Sequence, residues 1–347
     1  MALKIKELNQ EGFEQVLHAT DNSSGLSAIV AIHNTNLGPA CGGIRMLPYA
    51  SQNEALYDVL RLARGMSYKS ALAGIGFGGG KSVIMGDPKA KTQDLFYAFG
   101  EFVERFSGKY IAAKDMNIDS PDLAMIKQKT KHVLGVVGEK GSSGDPSPVT
   151  ALGVFRALEA TVEFLTGSKK VNGLRVAIQG IGHVGYALAE LVKKGGGELW
   201  VTDTDSSVIE KAQRELGAKY VGLDEIYDLD VDIFSPCARG AILNHKTIPR
   251  LKAKAVVGAA NNQLETPQDG IRIHERGILY APDYAVNSGG IINIFIEFQG
   301  YDENKALKKT DEIYFTIREV LERSKSSHKP SFQVADALAE ERLYGKK

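Results

Sequence analysis

The sequence predicts an α/β protein of two domains: an N-terminal domain that mixes strands and helices, and a C-terminal domain on a doubly wound parallel sheet, with a cleft between them. Three observations predict it. At 347 residues the chain is longer than one hydrophobic core ordinarily organises. From Leu174 onward, the short apolar runs LRVAIQ, ELWVTD, VDIFSP, KAVVGAA and GILYAP are interleaved with helical patterns, and such alternation argues for a parallel sheet covered on both faces. Between the halves stands GSSGDPSP (Gly141 to Pro148), the clearest punctuation in the chain. The boundary is placed there, giving domains over 1–145 and 146–324, with a C-terminal helix over about 325–347 packing back on the first.

The elements follow in order. Ser27 to His33 (SAIVAIH) is an apolar run suited to a strand, which the Gly-Pro and Gly-Gly around Pro39 to Gly43 should break. After Ser51, apolar Leu56, Val59, Leu60, Ala63 and Met66 recur at helical spacing, with Glu54 placed to complete a capping box. That helix delivers Lys69 near its end. Leu95, Phe99, Phe102, Val103 and Phe106 repeat the pattern, and Ser120-Pro121-Asp122 reads as a third helix start with Ser120 as N-cap. In the second half, helices are expected from about Thr150 to Leu165, after Gly182, from Ser206 to Leu216, and as one long helix from Asn304 to about Ser324.

Composition narrows the function. Lys plus Arg (42) equals Asp plus Glu (42), so no global charge favours nucleic acid or an anionic membrane, and a small ligand fits better. Cys41 and Cys237 are too few for a disulfide framework and too isolated for a zinc site, which points to reduced thiols and no metal. The N-terminus lacks the apolar run of a signal peptide, and no stretch approaches the roughly 18 apolar residues of a membrane span. A cytoplasmic protein is expected. Glycine is abundant (37 residues) and clustered, as where backbone must approach a ligand or turn sharply.

Gly180-Ile181-Gly182-His183-Val184-Gly185 is a G-x-G-x-x-G that follows an apolar run and opens a helical pattern. The next strand ends in Val201-Thr202-Asp203, an acid about 20 residues beyond the glycines, as a dinucleotide fingerprint requires. Gly180 would allow the turn, Gly182 would admit a pyrophosphate at the helix N-terminus, and Gly185 would let helix and strand approach. His183 reads as a solvent-facing or structural histidine within the loop. Asp203 would accept hydrogen bonds from the adenosine ribose, and Thr204 and Asp205 after it supply no arginine for a 2′-phosphate. The second domain is therefore expected to be a Rossmann NAD domain, with NAD preferred to NADP.

Gly74 to Ser82 (GIGFGGGKS) superficially suggests a nucleotide phosphate loop, but counting back from Gly80 puts Ile75 where the first glycine should stand. The better reading sets Lys69 and Lys81 on either side of a compact glycine-rich turn, one for a substrate carboxylate and one as a base. Burial and mutual repulsion would depress one lysine enough to make it basic near neutral pH.

GPACGGIRM (Gly38 to Met46), LARGMSYKSALAG (Leu62 to Gly74), GGGKSVI (Gly78 to Ile84), GDPSPVTALGV (Gly144 to Val154), GAANNQL (Gly258 to Leu264) and YAPDYAVNSGGIIN (Tyr280 to Asn293) strongly resemble the glutamate/leucine/phenylalanine/valine dehydrogenase family, and within it the leucine dehydrogenase branch. The resemblance implies a substrate domain followed by the NAD domain, and oxidative deamination of an L-amino acid to a 2-oxo acid and ammonia. It implies that Lys69 binds the substrate carboxylate with backbone help from Gly42 and Gly43, that Lys81 activates water, and that Asp115 shuttles protons. Thr150, Asn261, Asn262 and Asn287 match positions that the family uses around nicotinamide and substrate. Cys41 and Ile294 stand where the glutamate branch places a lysine and a serine, so an apolar substrate is expected, with Ala113 and Ile291 completing the pocket wall. Leucine, valine and isoleucine come first, with phenylalanine and tryptophan as alternatives. A homo-oligomer is also implied. In one departure, Lys114-Asp115-Met116-Asn117 stands where leucine dehydrogenases commonly carry an acid before the aspartate and Val-Gly after it. A non-catalytic NAD-binding sensor is the competing class, and the presence of both Lys81 and Asp115 argues against it.

Overall fold

A computed structural model describes residues 3–139 and 141–345, so the outermost residues of the expected terminal segments lie outside the described residues. The chain forms two compact units, one of Met1–Gly144, Ile294–Asp302 and Ala339–Lys347, the other of Asp145–Asn293 and Glu303–Leu338. The expected second domain, continuous over 146–324, is thus corrected. Residues 294–302 belong to the first unit, and the C-terminal return begins at 339 rather than about 325.

The first unit contains β1 (Lys4–Glu7), β2 (Gln15–Asp21), β3 (Leu26–Asn34), β4 (Ala40–Leu47), α1 (Gln52–Ala73), β5 (Gly78–Met85), α2 (Gln93–Glu104), β6 (Tyr110–Lys114) and α3 (Ser120–Lys127). Its strands form one mixed sheet in the order β1-β2-β3-β5-β4-β6. The first three neighbouring pairs are antiparallel, and β4 runs parallel to both β5 and β6. Ala28 to Ile32 is apolar without a break because β3 is buried on both faces: Ile29 and Ala31 pack with Ala55, Val59 and Ala63 of α1, while Ala28, Val30 and Ile32 join Phe96, Phe99 and Phe102 of α2.

Several local expectations are corrected. Of the expected strand breakers, Gly38-Pro39 do lie in the turn between β3 and β4, whereas Gly42 and Gly43 do not break a strand but lie inside β4. Nor is Gly74 to Gly80 one turn. Gly74 ends α1 in the left-handed conformation (φ 62°), but Gly78 to Gly80 open the buried strand β5. The reason is steric: a Cβ on Gly79 would overlap Ser67 of α1, and one on Gly42 would overlap the Gly80 carbonyl. Helix α3 is capped by Asp119 rather than Ser120, in a capping box with Asp122. Ser51 caps α1 as expected, but Glu54 accepts the Ala50 N–H (2.7 Å) rather than completing the box.

The second unit's elements are α4 (Ser147–Thr166), β7 (Arg175–Gln179), α5 (His183–Lys194), β8 (Glu198–Thr202), α6 (Ser206–Leu216), β9 (Lys219–Tyr220), β10 (Ile233–Pro236), β11 (Ala255–Val256), α7 (Pro267–Glu275), β12 (Leu279–Tyr280), α8 (Asp283–Val286), α9 (Gly289–Phe298), α10 (Glu303–Thr310), α11 (Ile313–Ser327) and α12 (Ser331–Tyr344), with α9 and α12 each ending in the first unit. Its six strands are all parallel, in the order β12-β11-β10-β7-β8-β9. This is a doubly wound sheet whose strand order reverses beside β7, where such folds bind ligands at the carboxyl ends of the strands. The single long helix expected from Asn304 is two helices, α10 and α11; between them Asp311 accepts from Arg156 of α4 at 2.6 Å. Among the described residues no helix is long and apolar enough to cross a membrane.

Candidate active site

In the second unit, the loop after β7 displays the three glycine roles separately. Gly180 adopts φ 91°, open space surrounds the position of a Cβ at Gly182, and a Cβ at Gly185 would overlap the Gly180 carbonyl. Helix α5 starts at His183 with Gly182 as N-cap and no capping side chain, so its first N–H groups are left for an anion. His183 is exposed and Val184 half-buried. Asp203 does more than wait for a ribose: Oδ2 accepts the Ile181 N–H at 2.7 Å and Oδ1 the Asp205 N–H at 3.1 Å, tying the end of β8 to the glycine loop.

Around the same sheet end, Asn287 donates to the Asn261 side chain (2.8 Å) and to the Ala259 carbonyl (3.0 Å). Its own Oδ1 is buried without a hydrogen-bond partner. An orphaned acceptor of this kind suits a ligand amide. Asn262 holds a positive φ of 52°, and Thr150 sits in the first turn of α4 with its hydroxyl on the Pro146 carbonyl (2.9 Å). A Cβ at Gly290 would lie 3.3 Å from that hydroxyl, and Ile291 follows in α9, nearly buried. The open Gly182, the uncapped helix, the acid at Asp203 and the orphaned Asn287 oxygen together fit a nicotinamide dinucleotide.

In the first unit, three adjacent parallel strands carry the chemistry. Gly43 on β4 pairs with Ala113 on β6, which leads directly to Asp115, and Lys81 lies on β5. Lys81 is 5% exposed, and its Nζ donates to Asp115 Oδ2 at 2.8 Å. Arg45 on β4 donates from Nε to the same oxygen at 3.0 Å. Burial lowers the Lys81 ammonium pKa by more than the Asp115 carboxylate restores it. Arg45 is a like charge that lowers it further, a second cation beside the Lys69 to which the sequence pointed. Burial alone raises the Asp115 carboxyl, but Lys81 and Arg45 together hold it below the ordinary carboxylate range.

Cys41 is fully buried beside this pair, and burial pushes its thiol up to about 12, so it is an inert, apolar side chain. Ile294 reaches toward Gly135, its Cδ1 3.2 Å from where a Cβ would stand. Nearby, Glu297 accepts the Gly135 N–H (2.8 Å), the Ser143 N–H (2.7 Å) and the Ser143 hydroxyl (2.5 Å). Lys69 is half-buried in the last turn of α1, whose terminal carbonyls at Ala71 and Leu72 receive Arg342 from α12 (3.2 and 2.9 Å). Sequence reasoning missed Arg45, Asp58 of α1, which accepts from Arg45 at 3.0 Å, and Tyr110 of β6, whose hydroxyl donates to the Gly42 carbonyl at 2.9 Å. The one signal for Arg45 was a charge inside an apolar strand segment.

Profiles of known families decide the relationship. The Glu/Leu/Phe/Val dehydrogenase dimerisation domain matches residues 13–132, and the Glutamate/Leucine/Phenylalanine/Valine dehydrogenase domain matches residues 201–342. The chain belongs to this family. A leucine dehydrogenase of Geobacillus stearothermophilus is 48% identical over 98% of this chain and 93% of its own length. An L-tryptophan dehydrogenase of Nostoc punctiforme is 46% identical over 99% and 97%, and the crystal structure of L-tryptophan dehydrogenase from that organism superposes with a TM-score of 0.87, covering 96% of each chain at 44% identity. A phenylalanine dehydrogenase of Lysinibacillus sphaericus is 48% identical over 90% of this chain and 83% of its own. Family and relatives together support amino-acid dehydrogenase activity.

Proposed function

We propose that this member of the family catalyses the reversible oxidative deamination of an apolar L-amino acid with NAD, leucine and the other branched-chain amino acids being preferred. The observation that carries this reading is the hydrogen-bonded pair of buried Lys81 and half-buried Asp115, set beside the apolar Cys41. NAD is the cofactor of this family. It would be held by Gly180, Gly182, Val184, Gly185 and Asp203, with His183 at the loop surface and Thr150, Asn261 and Asn287 toward the nicotinamide. Bound there, it supplies the acceptor for hydride from the substrate α-carbon.

The chain's own residues do the rest. Lys69 and the backbone of Gly42 and Gly43 hold the substrate carboxylate, with Asn262 assisting. The lowered pKa of Lys81 lets it shed its own proton, and the free amine can then take one from the water that attacks the imino carbon. Asp115, held as an anion, moves protons to and from the departing amine; its Oδ1 takes no hydrogen bond among the described residues, since both cations bind Oδ2. Cys41, Ala113, Ile291 and Ile294 supply apolar wall. A glutamate side chain would be buried there without a cation of its own, since Lys81 is engaged by Asp115, and near the Glu297 carboxylate, and such burial is expensive.

An aromatic substrate is the second reading, favoured by the tryptophan and phenylalanine dehydrogenases among the relatives. A homo-oligomer is in keeping with the dimerisation-domain match, and a cytoplasmic setting with two free cysteines. NAD reduction is to be measured across the twenty amino acids, with the ammonia-dependent reverse reaction on the matching oxo acids. Leucine, valine and isoleucine should lead, and Cys41→Lys should depress leucine turnover. Efficient use of glutamate by the unaltered enzyme would overturn the pocket assignment, and a lead for phenylalanine or tryptophan would establish the second reading.

A further inference from the structure

The side chains behind Asp115 form a chain of contacts that reaches α1. Arg45 Nε donates to Asp115 Oδ2 (3.0 Å) and its NH1 to Asp58 Oδ2 (3.0 Å). Asp58 also accepts from Tyr49 (2.8 Å) and from Arg61 (3.1 Å). The Arg45 and Asp58 side chains are 15% and 16% exposed, too little for bulk water to replace these bonds.

Asp115 thus faces two cations of different kinds. Lys81 gives up its proton if it is to act as a base, whereas a guanidinium keeps its charge at any working pH. With Lys81 as the sole partner, each deprotonation of the lysine would leave a largely buried carboxylate without a cation and drive it toward the neutral acid. We propose that Arg45, oriented by Asp58, is a positioning residue that keeps Asp115 an anion whether or not Lys81 carries its proton, leaving Oδ1 for the substrate amine. The inference rests on the reading of Lys81 and Asp115 as the proton-moving pair. The other titratable groups facing this cluster are Tyr49 after β4, Asp58 on α1, Tyr110 on β6 and Cys41 on β4, and burial pushes the Tyr49, Tyr110 and Cys41 groups upward, so all three stay neutral.

The test is the pH dependence of kcat and kcat/KM for Arg45→Gln and Arg45→Lys, beside Lys81→Ala. Loss of the Arg45 charge raises the proton affinity of both Asp115 and Lys81. In Arg45→Gln the acid limb should therefore move up by roughly one pH unit or more, with kcat at pH 7 down about tenfold, partial recovery at high pH, and KM little changed. Arg45→Lys keeps a cation and should return the limb most of the way. If Arg45→Gln does not fold, Asp58→Asn tests the same network: the retained Arg45 charge, with the Asp58 charge removed, should keep the limb from rising while kcat falls several-fold. A loss uniform across pH in Arg45→Gln, or a limb that Arg45→Lys fails to restore, would overturn the proposal, as would Asp58→Asn with unaltered kcat. If Lys81→Ala itself retained the acid limb, the proton-moving pair would be misassigned and the proposal would fall with it. Loss of the limb in Lys81→Ala with no shift in the Arg45 variants would sink the Arg45 role alone.

Discussion

Gly43→Ala probes the geometry of the site through a single methyl group. Gly43 lies in β4 with no positive φ, so alanine can adopt its backbone and the whole effect is steric. The new Cβ would stand 2.5 Å from Asp115 Cβ and 2.8 Å from the Lys114 carbonyl oxygen. Ordinary van der Waals contact begins at 3.4 Å, so Asp115 and the adjoining β6 backbone must retreat by about 0.9 Å. Overpacking of this kind costs about 1–3 kcal/mol of stability. Displacement of a catalytic group by about 1 Å can cost about 10²-fold in rate. The expected outcome is a fall of about 10²-fold in kcat for leucine, measured by NAD reduction, with a modest loss of thermal stability. Gly65→Ala is the control: no atom lies within 4 Å of its Cβ position in α1, and alanine should there add about 0.5–1 kcal/mol of stability without touching kcat. A Gly43→Ala enzyme that kept kcat within about threefold would refute the claim that Asp115 must sit where β4 places it.

Three further outcomes are expected. Lys69→Ala should chiefly raise KM, because it removes a carboxylate partner present in ground state and transition state alike, whereas Lys81→Ala should lower kcat by about 10²–10⁴-fold with a smaller change in KM; equal KM effects would undo the division of roles. Asp203→Ala should narrow the preference for NAD over NADP in kcat/KM and also destabilise the glycine loop by about 1–3 kcal/mol through the stranded Ile181 N–H, while Asp203→Asn should narrow the preference with a smaller loss of stability; unaltered preference in both variants would exclude Asp203 from the ribose site. His33 is buried against Ser67, and burial, with Arg64, lowers its pKa to about 4, so below the ordinary imidazole range near pH 6.5 the unfolded chain binds a proton that the folded chain refuses. Stability should therefore fall by up to about 1 kcal/mol per pH unit between 6.5 and 4, and a His33→Gln variant with the same pH slope would contradict this.

The two halves were unequally legible, for physical reasons. In the second unit each signal is local: short apolar runs made β7, β8 and β10, Asp205 and Gly217 bound α6 at its expected ends, and the glycine fingerprint lies within six consecutive residues. The two-residue strand β9 is too short to show a period. In the first unit, glycine misled. Its local preference is for turns, but at Gly42, Gly43, Gly79 and Gly80 it serves long-range packing, where a strand must lie close to a neighbouring strand or helix. No window of sequence shows that Gly79 presses on Ser67. The Arg45 network was hidden likewise, because its partners Asp58 and Asp115 are 13 and 70 positions away and become neighbours only when β4, β6 and α1 pack together.

The departure at Lys114-Asp115-Met116-Asn117 has a structural answer of the same kind. The Ile118 N–H bonds back to the Asp115 carbonyl at 3.2 Å, closing a tight turn, and Asn117 occupies its third position with φ 61°. A positive φ there demands glycine or asparagine, so Asn117 can take the place of the glycine usual in leucine dehydrogenases without altering the backbone. It also adds a tie: its side-chain amide donates to the Met46 carbonyl (3.0 Å), while the Met46 N–H donates to the Met116 carbonyl (3.1 Å). The turn that carries Asp115 is thereby fastened to the strand that carries Arg45. Lys114, which reverses the usual charge before the aspartate, is exposed, and its charge helps to hold Asp119 below the ordinary carboxylate range. The substitutions thus fall on residues that hold the turn or face solvent, and the groups proposed to move protons keep a geometry set by β4, β5 and β6.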